Sequence, residues 1–464
     1  MRLDAVTAAL GLAFAGLLAA NTRPAPALAA PAASAPAQPD STPANRAPAQ
    51  IAPAEVAPNE IATSGIAGRL DGVHLWTLPD TPNGLHPTQS WHATGSAPNG
   101  DLYVAGMDHR TNAALYRLPA GSDMLRLAGD ARSASEAAGN WKPGETAEKF
   151  HTRPLWFGGK VYVGTMDRST LDDGYRDRRG FHLYAYDPAT ARFTDLSAAE
   201  PGGTGLPHGS LVTLAGDPAR NVIYGAVVPT AEIVRYDVAA GTTASLGRPA
   251  AYDRPFVYTG RFMFTNARGR LYFSAGNPLT GPAHDPAIYG HLYSYDSQQG
   301  MVARPDFALQ APRALEVGRC LPARGLCYAA DDKGYLYRFT EAAAGTPETW
   351  TALGRVTLDW TASFFWMFQV APDGRTAYAA VTSYVPGTGP SSLYEVDLAT
   401  GAATRLCSLA DLDPRLERLN VHTGSDAWDD QGRFAFASFA GDGSSEVVLT
   451  RVDPVRLKAA LARH

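Results

Sequence analysis

A sevenfold repeat is the feature of this sequence that most restricts how it can fold. Each copy has a glycine or polar turn followed by a short apolar strand that ends in an aromatic residue. Successive copies are 48 to 62 residues apart, a spacing typical of repeat architectures. The seven aromatic residues are Tyr103, Tyr162, Tyr224, Tyr272, Tyr328, Tyr378 and Phe436.

Each repeat also contains three further candidate strands. A more apolar strand precedes the aromatic one, an alternating strand follows it, and a weaker outer strand closes the unit. Four strands in each of seven units predict an all-β, seven-bladed β-propeller with four-stranded blades, because each sheet buries its faces only against its neighbours. A solenoid or two separate sandwiches is the alternative architecture.

The segment Val73–Leu78 (VHLWTL) lies before the first complete repeat and has the pattern of a strand. We expect it to pair with the last blade, because that pairing closes the ring and protects two sheet edges.

The first 63 residues differ in composition from the repeats. Residues 1–29 have one early arginine, an apolar run and an Ala27-Leu28-Ala29 site, which predicts a secretory signal peptide. An uncleaved anchor is the alternative. Residues 30–63 are rich in Ala and Pro and predict a disordered linker, so the propeller is expected over residues 64–464. We therefore expect a periplasmic or secreted protein, monomeric and without a membrane span once the signal peptide is cleaved.

Charge and cysteine content limit the partners and the compartment. The chain has 40 basic and 45 acidic residues with no basic run, which argues against a nucleic-acid partner. Cys320 and Cys327 flank a Pro- and Gly-containing turn, so they either form a disulfide across a hairpin or remain buried thiols.

Propeller geometry brings residues that are far apart in the sequence to one end of the central channel. Inner strands start at the same end, so residues at equivalent positions before each repeat aromatic are expected to converge. These are His92, His151, His208, His422, Arg261 and Arg313, with Trp366 and Gln369 in the remaining blade. Each histidine alone could instead bond to a neighbouring backbone group.

Two loops that each connect the second and third strands of a blade are expected to form a rim around the converging residues. These loops are residues 167–182 and 277–291. The charged members of the first loop are Asp172, Asp173, Arg176, Arg178 and Arg179. A His/Arg/Trp floor beneath a charged rim predicts a ligand site.

The residue types expected at this end of the central channel, its mouth, favour one reaction class. β-Elimination in a uronic-acid glycan needs a base, an acid and a cation that neutralises the carboxylate, which His, Tyr and Arg supply. Hydrolysis of a glycoside would instead need paired carboxylates in the site. A serine hydrolase would need a G-x-S-x-G elbow, and the sequence contains none.

The segments KFHTRPLWFGGKVYVGT, GFHLYAYDP and NVIYGAVVPTAEIVRYD resemble the seven-bladed propeller polysaccharide lyases of the ulvan lyase and rhamnose-glucuronate lyase type. The resemblance covers most of residues 64–464. It implies His151 and His182 as base or acid, Tyr224 as an assisting residue, and Arg248 or Arg261 as the carboxylate-neutralising residue. A tyrosine that the family often has before the proline is Val228 here.

The complete set of predicted site residues follows from the two arguments together. The predicted catalytic residues are His151, His182, His208 and Tyr224. The predicted substrate-binding residues are Arg261, Arg248, His92, Arg179, Trp366 and His422.

Similarity to oligogalacturonate lyases, which are also propellers, implies a divalent cation as the candidate cofactor. His151, His208, His422 and Gln369 are its candidate ligands. The leading hypothesis is thus an exported polysaccharide lyase that acts on an acidic polysaccharide or oligosaccharide. The alternative is a non-catalytic propeller that binds a glycan or a protein.

Overall fold

The structure is a computed structural model of the chain. It describes ten segments of the polypeptide. They are residues 61–166, 176–249, 260–274, 291–308, 314–331, 333–341, 348–356, 363–383, 391–440 and 443–463.

Seven antiparallel sheets form a seven-bladed β-propeller with four principal strands per blade, as the repeat predicts. Three N-terminal strands precede the first blade: β1 (Ala62–Ser64), β2 (Ile66–Ala67) and β3 (Val73–Thr77).

The strands of blades 1 to 3 follow in chain order. Blade 1 contains β4 (Thr94–Ser96), β5 (Leu102–Met107), β6 (Ala113–Leu118) and β7 (Met124–Asp130). Blade 2 contains β8 (Lys149–Phe150), β9 (Leu155–Phe157), β10 (Lys160–Met166), β11 (Leu183–Asp187) and β12 (Arg192–Asp195). Blade 3 contains β13 (Ser210–Asp217), β14 (Val222–Val228), β15 (Ile233–Asp237) and β16 (Thr242–Ser245).

Blades 4 to 7 complete the ring. Blade 4 contains β17 (Met263–Thr265), β18 (Leu271–Ser274), β19 (His291–Asp296) and β20 (Gly300–Ala308). Blade 5 contains β21 (Leu315–Leu321), β22 (Leu326–Asp331), β23 (Tyr335–Thr340) and β24 (Thr349–Arg355). Blade 6 contains β25 (Ser363–Val370), β26 (Thr376–Ser383), β27 (Ser392–Asp397) and β28 (Ala403–Ser408). Blade 7 contains β29 (Asn420–Thr423), β30 (Phe434–Phe439) and β31 (Val448–Val452).

The N-terminal strands close the ring, and the prediction for the VHLWTL segment is confirmed. β3 pairs along its whole length with β31, so blade 7 combines strands from both ends of the chain. β2 extends this sheet, and β1 adds an outer strand to blade 1 by pairing with β7. Trp76 of β3 is almost fully buried between blades 7 and 1, so closure also completes an apolar core.

The repeat aromatics fill the interfaces between neighbouring blades. Tyr103, for example, is buried in one cluster with residues of both blade 1 and blade 2. The blades pack so closely that small residues are needed at some contacts. A Cβ on Gly164 of β10 would overlap the side chain of Leu211 in blade 3, which fixes glycine at that position.

The described segments contain three short helices outside the sheets: α1 (Ala131–Ala137), α2 (Leu409–Leu412) and α3 (Pro454–Leu461). Short 3-10 turns occupy Leu196–Ala199, Pro201–Gly203, Pro322–Arg324 and Pro414–Leu416. Asp130 caps α1 by accepting from the Ser133 backbone N–H. This helix starts an insertion between β7 and β8 that contributes to the charged cluster described below.

Cys320 and Cys327 are direct partners on β21 and β22 and form a disulfide. Cys407 is a buried free thiol, and burial raises its pKa to about 12. Within the described segments, no helix is both long and apolar enough to cross a bilayer.

Candidate functional site

Three histidines from three blades meet at one mouth of the central channel. His92 lies two residues before β4, His151 follows β8, and His422 lies in β29. All three are buried. The rings of His92 and His151 stack with their centroids 5.5 Å apart. The sequence-based convergence of these three positions is therefore present in the structure.

Aromatic side chains surround the histidines. Trp366 of β25 lies 5.9 Å from His92 and 4.9 Å from His422, measured between ring centroids. Trp91 lies 4.5 Å from His422 and 5.4 Å from Trp366. Phe439 stacks on His422 at 4.3 Å. The mouth therefore has a tightly packed aromatic wall.

Irregularities in the inner strands aim several of these side chains at the mouth. In blades 3, 5, 6 and 7, the register between the first and second strands shifts by one residue, so that one residue of the first strand has no partner in the register. These residues are Val212, Glu316, Trp366 and His422. A β-bulge leaves one residue unpaired and turns its side chain away from the regular alternation. Bulges at equivalent places in four blades therefore position several residues of the site.

Burial keeps the three histidines neutral. It lowers the pKa of His151 well below its ordinary value, and the nearby charges of Arg261 and Lys149 act in the same direction. Burial and Arg261 likewise lower the pKa values of His92 and His422. His151 Nδ1 donates to the Val212 carbonyl oxygen at 3.4 Å, which leaves the lone pair of the neutral ring on Nε2.

Arg261 brings a positive charge into the same site. Its guanidinium forms a 3.0 Å ion pair with Glu316 of blade 5 and lies 5.9 Å from the centre of the Trp366 ring. Arg261 and Glu316 border a cleft whose volume, including the part open to solvent, is about 260 Å³. Its lining residues come from five blades: His92, Arg153, Arg261, Phe262, Glu316, Val317, Gly424 and Ser425.

Polar side chains at the cleft form a network that joins several blades. Arg153 donates to the Gly318 carbonyl oxygen at 3.0 Å, and Ser425 donates to the same oxygen at 2.7 Å. Asp426 lies 2.9 Å from Arg319 and 3.8 Å from Arg153. This network connects blades 2, 5 and 7 and borders the cleft.

His182 belongs to a separate, closed cluster of charges. Its Nδ1 donates to Asp195 and its Nε2 donates to Glu145, each at 3.0 Å. Although burial acts against the charged ring, these hydrogen bonds raise the pKa of His182 to about 9. The ring is therefore a buried imidazolium between two carboxylates, and both of its nitrogens are occupied.

Arg179 and His208 also lie away from the cleft. Arg179 Nη1 donates to both carboxylate oxygens of Glu145, at 2.9 and 2.8 Å, and to the Asn140 carbonyl oxygen, so Arg179 supports the His182 cluster. His208 is exposed, has a left-handed backbone with φ 63°, and donates from Nδ1 to the Arg178 carbonyl oxygen. The structure therefore does not bring His208 to the buried histidines.

The remaining predicted residues have other surroundings. Tyr224 is buried in the sheet of blade 3 against Tyr295, and burial raises its pKa to about 12. Arg248 is exposed beyond the outer strand β16. Gln369 is bonded to the backbone of Ala435 and Ala427 in blade 7, so it holds two blades together.

Of the rim, the exposed Arg176 and half-buried Arg178 are described, whereas Asp172, Asp173 and the channel candidate Arg313 lie outside the described residues. Across the segments that the structure describes, no group of three or more His, Cys, Asp or Glu side chains is arranged to hold a metal ion. The proposed ligand set does not assemble there, because His208 and Gln369 are held elsewhere.

Several residues of the site are not among the sequence-based predictions, and they include Trp91, Arg153, Glu316 and Ser425. Trp91 and Arg153 adjoin predicted histidines in the sequence, in the segments SWH and HTR. Their proximity to those positions is the signal that could have identified them. Glu316 faces the cleft because of a bulge, which no sequence pattern marks.

Comparison with known proteins supports the fold. No family model and no curated protein matches the chain. The β-propeller domain of Cps50 (Swd1) from Myceliophteria thermophila is 10% identical with a TM-score of 0.51, over 81% of this chain and 100% of that one. YCF48 from Cyanidioschyzon merolae is 11% identical with a TM-score of 0.47, over 82% of this chain and 99% of that one. At such low identity, the first likeness shows a shared β-propeller fold alone.

Proposed function

We propose that this protein is a non-catalytic binding propeller that holds an acidic oligosaccharide at the channel mouth. The supporting observation is the convergence of Arg261 and His92 from two blades on one cleft, with Trp366 packed close to both. A cation and a hydrogen-bonding imidazole match the carboxylate and hydroxyl groups of a uronic-acid sugar. The narrow concave shape suits a glycan better than a protein surface.

Binding without cleavage is favoured because the residues implied as partners of His151 lie elsewhere. Both ring nitrogens of His182 bond to carboxylates, and Tyr224 is buried within blade 3. A general acid must reach the departing oxygen. Neither group is placed to do so at the cleft.

A polysaccharide lyase is the second candidate function, and one observation favours it. Burial keeps His151 neutral, its Nδ1 donates to the Val212 carbonyl oxygen, and Arg261 lies close enough to lower its pKa further. A neutral imidazole beside a cation that binds a carboxylate is the arrangement that proton removal next to that carboxylate needs.

The disulfide supports the proposal of an exported protein. The Cys320–Cys327 bond persists in oxidising compartments such as the periplasm or the extracellular space. We propose that the chain works there, where acidic polysaccharides are accessible.

Isothermal titration with uronate oligosaccharides tests the proposed function. The double variant Arg261→Met, Glu316→Gln removes both charges of the pair, so no carboxylate is left buried alone. Its matched control is Arg132→Met, Glu136→Gln, which removes an exposed ion pair. We expect saturable wild-type binding that the first variant weakens at least tenfold and the control leaves unchanged.

The same samples distinguish binding from cleavage through the ultraviolet absorbance of unsaturated uronate. No increase is expected with ulvan, gum arabic, pectin or alginate. An increase that His151→Ala abolishes would establish the lyase instead. Absence of binding to all four polymers and their oligosaccharides would refute the glycan proposal.

A further inference from the structure

The cleft at the channel mouth is small for a sugar ring. Its enclosed part has room for about one water molecule. A group that enters it must therefore be small and must project from the rest of the ligand. A carboxylate on a sugar ring meets this condition because one of its oxygens can occupy that space while the other oxygen and the ring stay in the open part of the cleft.

The charge of the lining favours an anion. Arg153 and Arg261 border the cleft together with a single acidic residue, Glu316, so two positive charges face one negative charge. Glu316 is paired with Arg261 at 3.0 Å. The net charge of these three side chains is +1, and an entering carboxylate would neutralise it.

Arg153 has a hydrogen-bonding edge that is open to a ligand. Its 3.0 Å bond to Gly318 and its 3.8 Å ion pair with Asp426 both use Nη1, and its guanidinium lies 5.4 Å from the centre of the Phe262 ring. Nε and Nη2 have no hydrogen-bond acceptor within the described segments. A guanidinium edge with two parallel N–H groups matches the two oxygens of a carboxylate.

His92 supplies a second indication of a ligand. Its side chain borders the cleft and the residue is 8% exposed, and Nε2 is buried with no partner among the described residues. A buried polar atom of this kind costs free energy unless something binds it. The neutral ring can donate from Nε2 to a carboxylate oxygen.

We propose that Arg153 determines specificity for a carboxylate, which inserts end-on into the cleft between Arg153, Arg261 and His92. This inference rests on the proposed glycan-binding function and identifies the ligand group that the channel recognises. Its chemical class is a uronic-acid sugar with a free, unesterified carboxylate. A sulfate ester is tetrahedral and larger than a carboxylate, so it fits less well in an enclosed space that holds about one water molecule.

Arg153→Met is a suitable variant because it leaves its neighbours paired. Asp426 keeps its 2.9 Å contact with Arg319, and the Gly318 carbonyl keeps the 2.7 Å bond from Ser425. Arg153→Lys retains the charge but not the planar edge. Arg132→Met, at an exposed position in α1, is the matched control.

The test compares the affinity for oligogalacturonate with the affinity for its methyl ester by isothermal titration. We expect wild type and Arg132→Met to bind the free acid at least tenfold more tightly than the ester. Arg153→Met is expected to lose this preference while still binding the ester. Arg153→Lys is expected to keep part of the preference, because it retains the charge. Thermal unfolding of each variant reports whether the fold is retained. Acetate is expected to compete with the acid for wild type and not for Arg153→Met.

Failure of this inference is distinguishable from failure of the proposed function. If Arg153→Met keeps the wild-type preference for the free acid, or if a sulfated glycan binds more tightly than a uronate, the role of Arg153 is refuted while glycan binding stands. If wild type binds neither the acid nor the ester, both proposals are refuted.

Discussion

The buried His182 cluster predicts a specific dependence of stability on pH. The pKa of His182 is raised from 6.5 to about 9 by Asp195 and Glu145, with burial acting in the opposite direction. A raised folded-state pKa stabilises the fold fully below the unfolded-state pKa, and this stabilisation is lost as the pH rises through the folded-state value. The difference corresponds to about 3 kcal/mol.

His182→Gln removes this pH-dependent contribution. We expect the variant to be less stable than wild type by about 3 kcal/mol near pH 6 and the difference to shrink steadily towards pH 10. Asp195 keeps its hydrogen bonds from Ser135 and Asn140, and Glu145 keeps Arg179. The two carboxylates therefore retain partners in the variant, and the lost charge is the main change.

Urea denaturation at a series of pH values measures this effect. His86→Gln is the matched control, because His86 pairs with Asp80 at the surface, where both side chains are more than half exposed. It is expected to leave the pH dependence unchanged. Parallel pH profiles for wild type and His182→Gln would refute the buried imidazolium.

Three further predictions concern the scaffold. Removing residues 1–77 deletes β1 to β3 and exposes the edge of β31, so we expect this variant to aggregate in size-exclusion chromatography. Removing residues 1–60 is the control, because it leaves all the described strands intact. Replacing Cys320 and Cys327 by serine is expected to lower the free energy of unfolding by about 2 kcal/mol, measured by urea denaturation, because the disulfide closes a short loop. Gly164→Ala is expected to cost about 1 to 3 kcal/mol in the same assay, because its Cβ overlaps the Leu211 side chain.

Each of these predictions has a contradicting result. A monomeric, folded chain without residues 1–77 would show that closure by β3 is dispensable. Identical unfolding curves with and without a reductant would exclude a stabilising disulfide. Wild-type stability of Gly164→Ala would show that blades 2 and 3 can separate to admit the methyl group.

The sequence predicted the architecture because propeller strands repeat. The seven aromatic positions set the number of blades, and the isolated strand pattern at Val73–Leu78 indicated its pairing with the last blade. Equivalent positions in repeated units lie at equivalent places in the ring. For this reason the convergence of His92, His151 and His422 could also be predicted without any local motif.

The composition of the site was harder to predict, because side-chain direction depends on local backbone geometry. Trp366 and Glu316 face the mouth through bulges, whereas the left-handed conformation of His208 places it on the surface. His182 bonds to Glu145, which comes from an insertion that has no counterpart in the repeat. Spacing alone does not specify these partners.

A crystal structure with a bound uronate oligosaccharide tests the central claim most directly. We expect an intact glycan at the channel mouth, with one carboxylate in the cleft between Arg153 and Arg261 and an oxygen within hydrogen-bonding distance of His92 Nε2. A glycan bound at another surface with the cleft unchanged, or an unsaturated cleavage product at the mouth, would contradict it.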